Sequence, residues 1–265
     1  MVSRWLKRFY VFLIFLFLYA PIMVLIVYSF NDSRIRGTWS GFTLRWYIEL
    51  FRDPTILKAL YNTILVAVLA AIISTIIGTL AAIGIHNMPG LSKRIILNLN
   101  YIPVLNPDIV TAVSLMVLYR FLKLDFGFTT MLLSHITFCI PYVVLSVLPK
   151  LRQLNVHLAE AAMDLGATPF YAFRKVIIPE IMPGIITGGL MAFTLSIDDF
   201  VISFFTTGNG VSNLSIEIFS MSKRGINPTI NALSTIMFLS ILILLLIINK
   251  RTEKLDERGA RIEKN

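Results

Sequence analysis

The sequence has little charge and almost no cysteine. Of its 265 residues one is cysteine, three are histidine and 15% are charged. A single cysteine excludes a disulfide framework and a multi-thiolate metal site. Soluble domains carry about 25% charged residues, and disordered chains are poor in apolar residues, whereas 56% of this chain is apolar. The composition therefore excludes a disordered protein and predicts a chain that lies mostly in lipid.

Patterns that bind ATP phosphates or form hydrolase centres are missing as well. The sequence contains no G-x4-G-K-[ST], no G-x-S-x-G and no H-E-x-x-H. His135 and Cys139 share a helix face, but two ligands do not make a zinc site, so core packing is the better interpretation. The net charge of +9 suits cytoplasmic loops and lipid headgroups. From these absences we expect no catalytic centre and no metal site. We also expect no nucleic-acid partner, since no basic block is interleaved with aromatic residues.

Apolar runs of about 20 residues cross a bilayer as helices, and the sequence contains six of them. None contains Lys or Arg, and they comprise residues 9–30, 61–85, 95–119, 129–149, 181–205 and 229–249. The first run follows three basic residues, as in a signal peptide, but it is too long for one. The sequence thus predicts one all-α integral membrane domain over residues 1–265, with six transmembrane helices.

The basic residues orient these spans. With the N-terminus inside, the segments 1–8, 86–94, 150–180 and 250–265 contain 15 Lys and Arg, and the outside segments contain 9. Cytoplasmic loops are enriched in Lys and Arg, so both termini are predicted to be cytoplasmic. The outside segment 31–60 mixes aromatic and charged residues, which suits a helix lying in the membrane interface.

The inside segment 150–180 predicts a short helix, a sharp turn and a second helix. Gly166 can supply the left-handed residue that ends the first helix. Thr168 is suited to cap the second helix and Pro169 to begin it, and this helix is expected to reach Val176. Helical spacing gives the first helix a common face made of Leu158, Ala161, Ala162 and Leu165.

This loop resembles the EAA signature of ABC importer permeases. The family pattern is E-A-A-x3-G-x9-I-x-L-P, and this loop keeps its spacing with Glu160-Ala161-Ala162, Gly166 and Val176-Ile177-Ile178-Pro179. Two positions depart conservatively: Val176 replaces Ile, and Ile178 replaces Leu. The resemblance implies the type I ABC importer permease fold and a coupling helix that docks on a separate ATPase subunit. It assigns this coupling to Glu160, Ala161, Ala162, Asp164, Leu165, Gly166, Ala167 and Pro179. An ordinary amphipathic loop is the alternative, but loops of this length are usually functional or disordered.

Further segments resemble the PotC-type subunits of the spermidine/putrescine permease family. They are Ser29-Phe30-Asn31-Asp32-Ser33, Gly41-Phe42-Thr43, Trp46-Tyr47, Pro107-Asp108-Ile109-Val110, Ser134-His135-Ile136-Thr137-Phe138-Cys139-Ile140-Pro141, Ser196-Ile197-Asp198-Asp199 and Asn231-Ala232-Leu233. The resemblance implies a complex in the bacterial inner membrane, with a second permease subunit, two ATPase subunits that bind ATP and Mg, and a periplasmic or lipid-anchored polyamine-binding protein. It implies no cofactor in this chain.

Three acidic residues lie within the predicted spans: Asp108, Asp198 and Asp199. A charge at the centre of a transmembrane helix costs roughly 2.5–3.5 kcal/mol on insertion scales, so these acids need a compensating partner, and no span contains Lys or Arg. If they face a water-filled cavity, that partner would be a cation. We expect them to form a polyamine path, because acids at different depths suit separated ammonium groups. Tyr142 and Phe200 are available for cation–π contact with the same substrate.

Helical pitch allows only one of Asp198 and Asp199 to point squarely into a pore, and the sequence leaves open which one. Asp199 continues a stripe of small and polar residues formed by Gly184, Gly188, Ala192, Ser196 and Ser203. Gly184, Gly188 and Gly189 give small residues four apart, which suits close helix packing, and the second permease subunit is a candidate partner. Pro103 and Pro107 are predicted to break or kink the third span beside Asp108.

Several alternatives remain open at this point. The acids also fit structural roles, such as capping a kinked helix or binding Ser and Thr neighbours. Lys223 is a candidate gate that pairs with Asp198 or Asp199, with a solvated face as its alternative. Rival functions are a related permease for iron(III), phosphate or a phosphonate, a stand-alone cation channel or carrier, and an intramembrane enzyme. The spans contain three acidic residues and no Lys or Arg, which argues against an anionic substrate. The sequence does not distinguish spermidine from putrescine.

Overall fold

The computed structural model describes residues 4–33, 37–155, 157–224, 228–243 and 246. These residues form helices and no β-strand beyond one isolated bridge, which confirms the predicted all-α class. The helices are α1 (Arg4–Tyr28), α2 (Arg45–Arg52), α3 (Pro54–His86), α4 (Gly90–Leu105), α5 (Asp108–Phe121), α6 (Phe128–Gln153), α7 (Leu158–Asp164), α8 (Pro169–Ala172), α9 (Ile178–Asp198), α10 (Val201–Thr206), α11 (Leu214–Arg224) and α12 (Thr229–Ile243). A π-helix, Phe173–Ile177, joins α8 to α9.

Four continuous helices in the described residues are long and apolar enough to cross a membrane. They are Trp5–Tyr28, Pro54–His86, Phe128–Gln153 and Pro169–Asp198. The bent pair α4 and α5 would supply a fifth crossing. The predicted sixth span, 229–249, coincides with the shorter apolar helix α12 as far as Ile243. Beyond that residue, only Leu246 of the predicted span belongs to the described part of the chain.

The predicted third span, 95–119, is not one straight helix. Helix α4 passes through Pro103 and ends at Leu105, and α5 leaves it at an angle of 106°. Pro107 adopts an extended conformation, with φ −57° and ψ 138°, directly before α5. A proline lacks the N–H that a helix needs and disfavours helical backbone at the preceding residue. The predicted break is therefore confirmed at Pro107, and it makes Asp108 the first residue of α5.

The predicted fifth span, 181–205, is not one continuous helix. Helix α9 ends at Asp198, and α10 begins at Val201. Two residues separate them, and the first, Asp199, has ψ 127°, which is extended backbone. Its carboxylate accepts the N–H groups of Ile202 and Ser203, which are among the unpaired donors at the start of any helix. This side-chain cap accounts for the new helix start.

The described residues form two compact units, one within Met1–Ala59 and Ile216–Ile247, the other within Leu60–Ser215. In the first unit the Trp46 side chain of α2 is buried, and its indole N–H donates to the Asn31 carbonyl at 2.8 Å. The Asn31 carboxamide also binds the backbone of Thr38 and Ser40. These hydrogen bonds tie α2 to the segment that follows α1. The interfacial helix predicted within 31–60 corresponds to α2.

In the second unit α6 and α9 run antiparallel with their backbones in close contact. A Cβ added at Gly188 would lie 3.1 Å from the Cα of Val143, and one at Gly184 would lie 2.9 Å from the Ser146 carbonyl oxygen. Glycine is needed at both positions because a larger residue would push the helices apart. The predicted close packing of this small-residue stripe is confirmed, with a partner helix that belongs to the same chain.

The α6–α9 contact yields a prediction about Gly184. Replacing it in Gly184→Ala places a methyl group against the Ser146 backbone carbonyl, and overpacking of this kind costs about 1–3 kcal/mol. We expect a lower thermal unfolding midpoint for the purified complex. Gly84→Ala in α3 is the matched control, because a Cβ there meets nothing within 4 Å. Equal midpoints for the two variants would contradict the packing account.

Candidate functional site

The segment between α6 and α9 makes a sharp turn at Gly166. Its φ is +91°, which confirms the left-handed conformation predicted from sequence. The N–H of Gly166 donates to the Met163 carbonyl at 2.9 Å, and that of Ala167 donates to the Ala162 carbonyl at 3.1 Å. This pair of hydrogen bonds is the Schellman motif, which satisfies the last carbonyls of a helix and relies on glycine at the left-handed position. The turn therefore depends on Gly166.

The second helix of the loop begins as predicted but ends differently. The Thr168 hydroxyl accepts the Tyr171 N–H at 3.3 Å, and Pro169 occupies the first helical turn, which confirms the predicted cap. The expected separate helix from Pro169 to Val176 is wrong. Helix α8 passes through the π-helical turn into α9, with the Ile178 N–H donating to the Phe173 carbonyl. The loop and the following span thus form one helical segment, Pro169–Asp198.

Apolar side chains surround this turn and are exposed on the isolated chain. Leu165 is 91% exposed, and Phe170 and Tyr171 are also exposed. A groove of about 490 Å³ is lined by Ala162, Leu165, Gly166, Ala167, Thr168 and Tyr171. Four of the predicted coupling residues line this groove. Exposed patches of this kind mark interaction sites on proteins.

The other predicted coupling residues lie outside the groove lining. Glu160 is exposed in the first turn of α7, and its carboxylate lies 3.0 Å from Nδ1 of His157. Ala161 and Asp164 are exposed on α7, and Pro179 is exposed near the start of α9. All four lie in the segment 150–180, three of them on α7 before the turn and Pro179 in the helical segment Pro169–Asp198 after it.

The break between α9 and α10 gives the two adjacent aspartates different surroundings. The Asp199 side chain is only 8% exposed. Its Oδ2 accepts the N–H and the hydroxyl of Ser203, both at 2.8 Å, and its Oδ1 accepts the Ile202 N–H at 3.2 Å. Asp198, the last residue of α9, is exposed. Asp199 therefore caps α10, one of the structural roles that the sequence left open, whereas the Asp198 carboxylate is accessible.

His135 belongs to the same break, although the sequence indicated only core packing for it. It is 2% exposed, as core packing requires. Its Nδ1 lies 2.7 Å from the Ser196 hydroxyl, its Nε2 lies 2.8 Å from the Ser203 hydroxyl, and Nε2 is 3.5 Å from Asp199 Oδ2. The sequence does contain one signal for this contact. A histidine lies within one apolar run, and acidic residues in another apolar run are candidate partners for it.

The remaining predicted path residues lie on α5, on α6 and in the break itself. Helix α10 packs against α5 and α6. Asp108 is exposed at the first turn of α5, where the helix dipole favours a negative charge. Tyr142 is half-buried on α6, with its ring 5.4 Å from that of Phe138. Phe200 lies in the break itself, half-buried, and its ring is 5.4 Å from that of Phe204.

Comparison with known proteins identifies the family. Residues 74–255 match the family of the binding-protein-dependent transport system inner membrane component. Over 246 residues the chain is 40% identical to the spermidine/putrescine transport system permease protein PotC of Escherichia coli (strain K12), covering 93% of each chain. The chain belongs to this PotC-type permease family. It is also 40% identical over 235 residues to the putrescine transport system permease protein PotI of the same strain, covering 84% of this chain and 82% of PotI.

A solved structure shows the fold of this permease. The similar chain comes from a bacterial ABC transporter involved in the import of the acidic polysaccharide alginate. The TM-score is 0.71 at 17% identity, and the similarity covers 94% of both chains. At this identity the likeness concerns the fold alone, and it confirms the predicted ABC importer permease fold. The permease is thus a multi-pass inner-membrane component of a transport system.

The candidate gate residue, Lys223, lies on α11 and is exposed. Its Nζ is 4.8 Å from the ring centroid of Phe219, one helical turn earlier. Cation–π contacts at exposed sites are worth about 0.5–1 kcal/mol. The pairing of Lys223 with Asp198 or Asp199 stays a prediction.

The turn at Gly166 can be tested directly in the permease. Gly166→Val should lose ATP-driven uptake and binding of the ATPase subunit, because a left-handed β-branched residue costs about 1–2 kcal/mol and reshapes the groove. Gly166→Asn is the matched control, since asparagine tolerates this conformation, and we expect it to retain more activity. Pull-down of the ATPase and vesicle uptake measure the two effects. Normal uptake by Gly166→Val at normal expression would show that the turn is not needed.

Proposed function

We propose that this permease forms half of the membrane pathway of an ABC importer for polyamines. The observation that carries the proposal is the accessible Asp198 carboxylate at a helix break, two residues before Phe200 in the chain. The names of the relatives PotC and PotI, which refer to spermidine and putrescine, support the same substrate class. Intramembrane acids are costly and are usually functional, so an exposed one in this fold favours a cationic cargo.

The chemistry of a polyamine suits the residues around the break. Each ammonium group donates hydrogen bonds and carries a positive charge, so Asp198 would pair with one group. Phe200 and Tyr142 offer ring faces for cation–π attraction, and Asp108 on α5 supplies a second carboxylate for a separated ammonium group. Asp199 takes part in this path by fixing the helix break from its buried position. Lys223 acts as the gate at the outer side.

Coupling to ATP hydrolysis runs through the loop. The groove at Gly166 receives a separate ATPase subunit, which binds ATP and Mg, and this chain itself carries no cofactor and performs no hydrolysis. The continuous segment Pro169–Asp198 contains 30 residues, which is about 45 Å at 1.5 Å per residue. A movement imposed at Pro169 is therefore carried by one helical segment to Asp198. This connection converts closure of the ATPase subunits into a change of access at the path.

The complete transporter contains partners that recognise other surfaces of this chain. We assign it a second permease subunit, an ATPase dimer, and a periplasmic or lipid-anchored binding protein that selects the polyamine. The chain crosses the membrane six times, with both termini in the cytoplasm, because basic residues concentrate in the segments on that side. A reporter inserted near Asn209 should then face outside, and a cytoplasmic signal there would reverse the orientation.

The path residues yield a prediction about uptake. Asp108→Asn and Asp198→Asn keep the side-chain shape and remove the charge, and each should lower spermidine uptake roughly 10- to 150-fold, the equivalent of losing one charge-assisted hydrogen bond. Assembly and basal ATP hydrolysis should survive in both variants. Asp199→Asn should instead reduce assembly as well, since this residue caps α10.

The control for these substitutions is Asp125→Asn, which changes an exposed acid in the turn between α5 and α6. Uptake is measured per assembled complex, so that poor expression is not mistaken for poor transport. Normal uptake by both Asp108→Asn and Asp198→Asn would mean that these acids do not form the path.

A further inference from the structure

A buried polar network joins α6 to the break between α9 and α10. We propose that His135 is a positioning residue for transport: its Nε2–H, acting through Ser203, keeps Asp199 in the cap of α10 and so keeps Asp198 in the cation path. The role of Asp198 in the path rests on the proposed function, whereas the geometry of the break rests on the hydrogen bonds around Ser203 and Asp199.

Burial makes the network costly to leave unpaired. His135 and Ser196 are each 2% exposed, and Ser203 is fully buried. Asn213, in the segment after α10, is also buried and donates to the Ser203 hydroxyl at 2.7 Å and to the Asp199 carbonyl at 3.2 Å. Buried polar groups in native proteins nearly always have hydrogen-bond partners. These four side chains therefore supply one another's partners across four segments of the chain: α6, α9, α10 and the segment after α10.

Counting donors and acceptors fixes the direction of each bond around Ser203. The Ser203 hydroxyl donates its single proton to Asp199 Oδ2 at 2.8 Å, and a hydroxyl has no second proton to give. The two remaining lone pairs of Ser203 accept one proton from Asn213 Nδ2 and one from His135 Nε2. The imidazole must therefore carry its proton on Nε2. In the neutral ring, Nδ1 is then the acceptor for the Ser196 hydroxyl.

This arrangement makes His135 the only α6 side chain among the described residues that reaches both Ser196 and Ser203. Those two serines lie on opposite sides of the break, on α9 and α10. The Asp199 carboxylate in turn holds the first N–H groups of α10. Loss of the Nε2 contact leaves the Ser203 hydroxyl short of one donor and loosens the cap. The adjoining residue Asp198 then no longer has a fixed direction.

Two substitutions separate the two ring nitrogens. The amide of glutamine in His135→Gln reaches the position of Nε2 and retains a donor toward Ser203. The shorter amide in His135→Asn reaches the position of Nδ1 and retains only the contact with Ser196. Thr137→Val is the matched control on the same helix, because the Thr137 hydroxyl is exposed and donates to the carbonyl of Leu133 in its own helix.

The first measurement is spermidine uptake per assembled complex at varied substrate concentration. We expect His135→Asn to raise KM by about ten-fold, as for leaving one buried hydrogen-bonding group without its partner. His135→Gln and Thr137→Val should stay near the parent value. Equal KM values for His135→Asn and the parent would overturn the proposal, and so would an equal rise for His135→Gln and His135→Asn.

The second measurement needs no polyamine. In a Cys139→Ser background, which removes the single cysteine, Asp198→Cys is labelled with a cationic methanethiosulfonate reagent in the assembled complex. The labelling rate should be the same with His135 and His135→Gln, and should change about ten-fold or more with His135→Asn. An unchanged rate in His135→Asn overturns the positioning role. If His135→Asn changes the labelling rate but the parent complex does not transport spermidine, the positioning role stands and only the proposed substrate is contradicted.

Discussion

Backbone contact between α6 and α9 is the constraint on which the rest of the second unit depends. Gly184 and Gly188 let the two helices approach until a Cβ would touch the opposite backbone. One further turn along, the Cys139 thiol donates to the Ala192 carbonyl at 3.4 Å. The next turn brings His135 within hydrogen-bond distance of Ser196. The polar network at the break can form only because glycine and alanine keep the helices this close.

The same helix pair connects the two regions to which we assign function, the loop turn at Gly166 and the helix break at Asp199. One end of the α9 segment follows the turn at Gly166, and the other end is the break at Asp199. Because α8, the π-helical turn and α9 are continuous, the loop cannot rotate independently of the span. A partner that moves the loop therefore acts on Asp198 through one helical segment. The buried contacts of α9 with α6 give that segment a fixed surface to move against.

Features set by neighbouring residues were predictable from the sequence. The left-handed Gly166, the Thr168 cap and the break at Pro107 each depend on the conformational limits of one or two residues. The break at Asp199 was not predictable in this way. Its buried surroundings include His135, whose Nε2 lies 2.8 Å from the Ser203 hydroxyl although the two residues are 68 positions apart in sequence. Hydropathy alone favours a continuous helix there, and the cap that Asp199 provides to the N–H groups of Ile202 and Ser203 leaves no trace in the hydropathy pattern.

Transport by the reconstituted complex tests the central claim most directly. The permease, its partner permease and the ATPase dimer would be placed in liposomes with the binding protein outside and ATP inside, and uptake of radiolabelled spermidine measured against iron(III) and phosphate. The account predicts that spermidine accumulates only when ATP and the binding protein are both present. Accumulation of iron(III) or phosphate in place of spermidine, or spermidine flux without the ATPase, would contradict it.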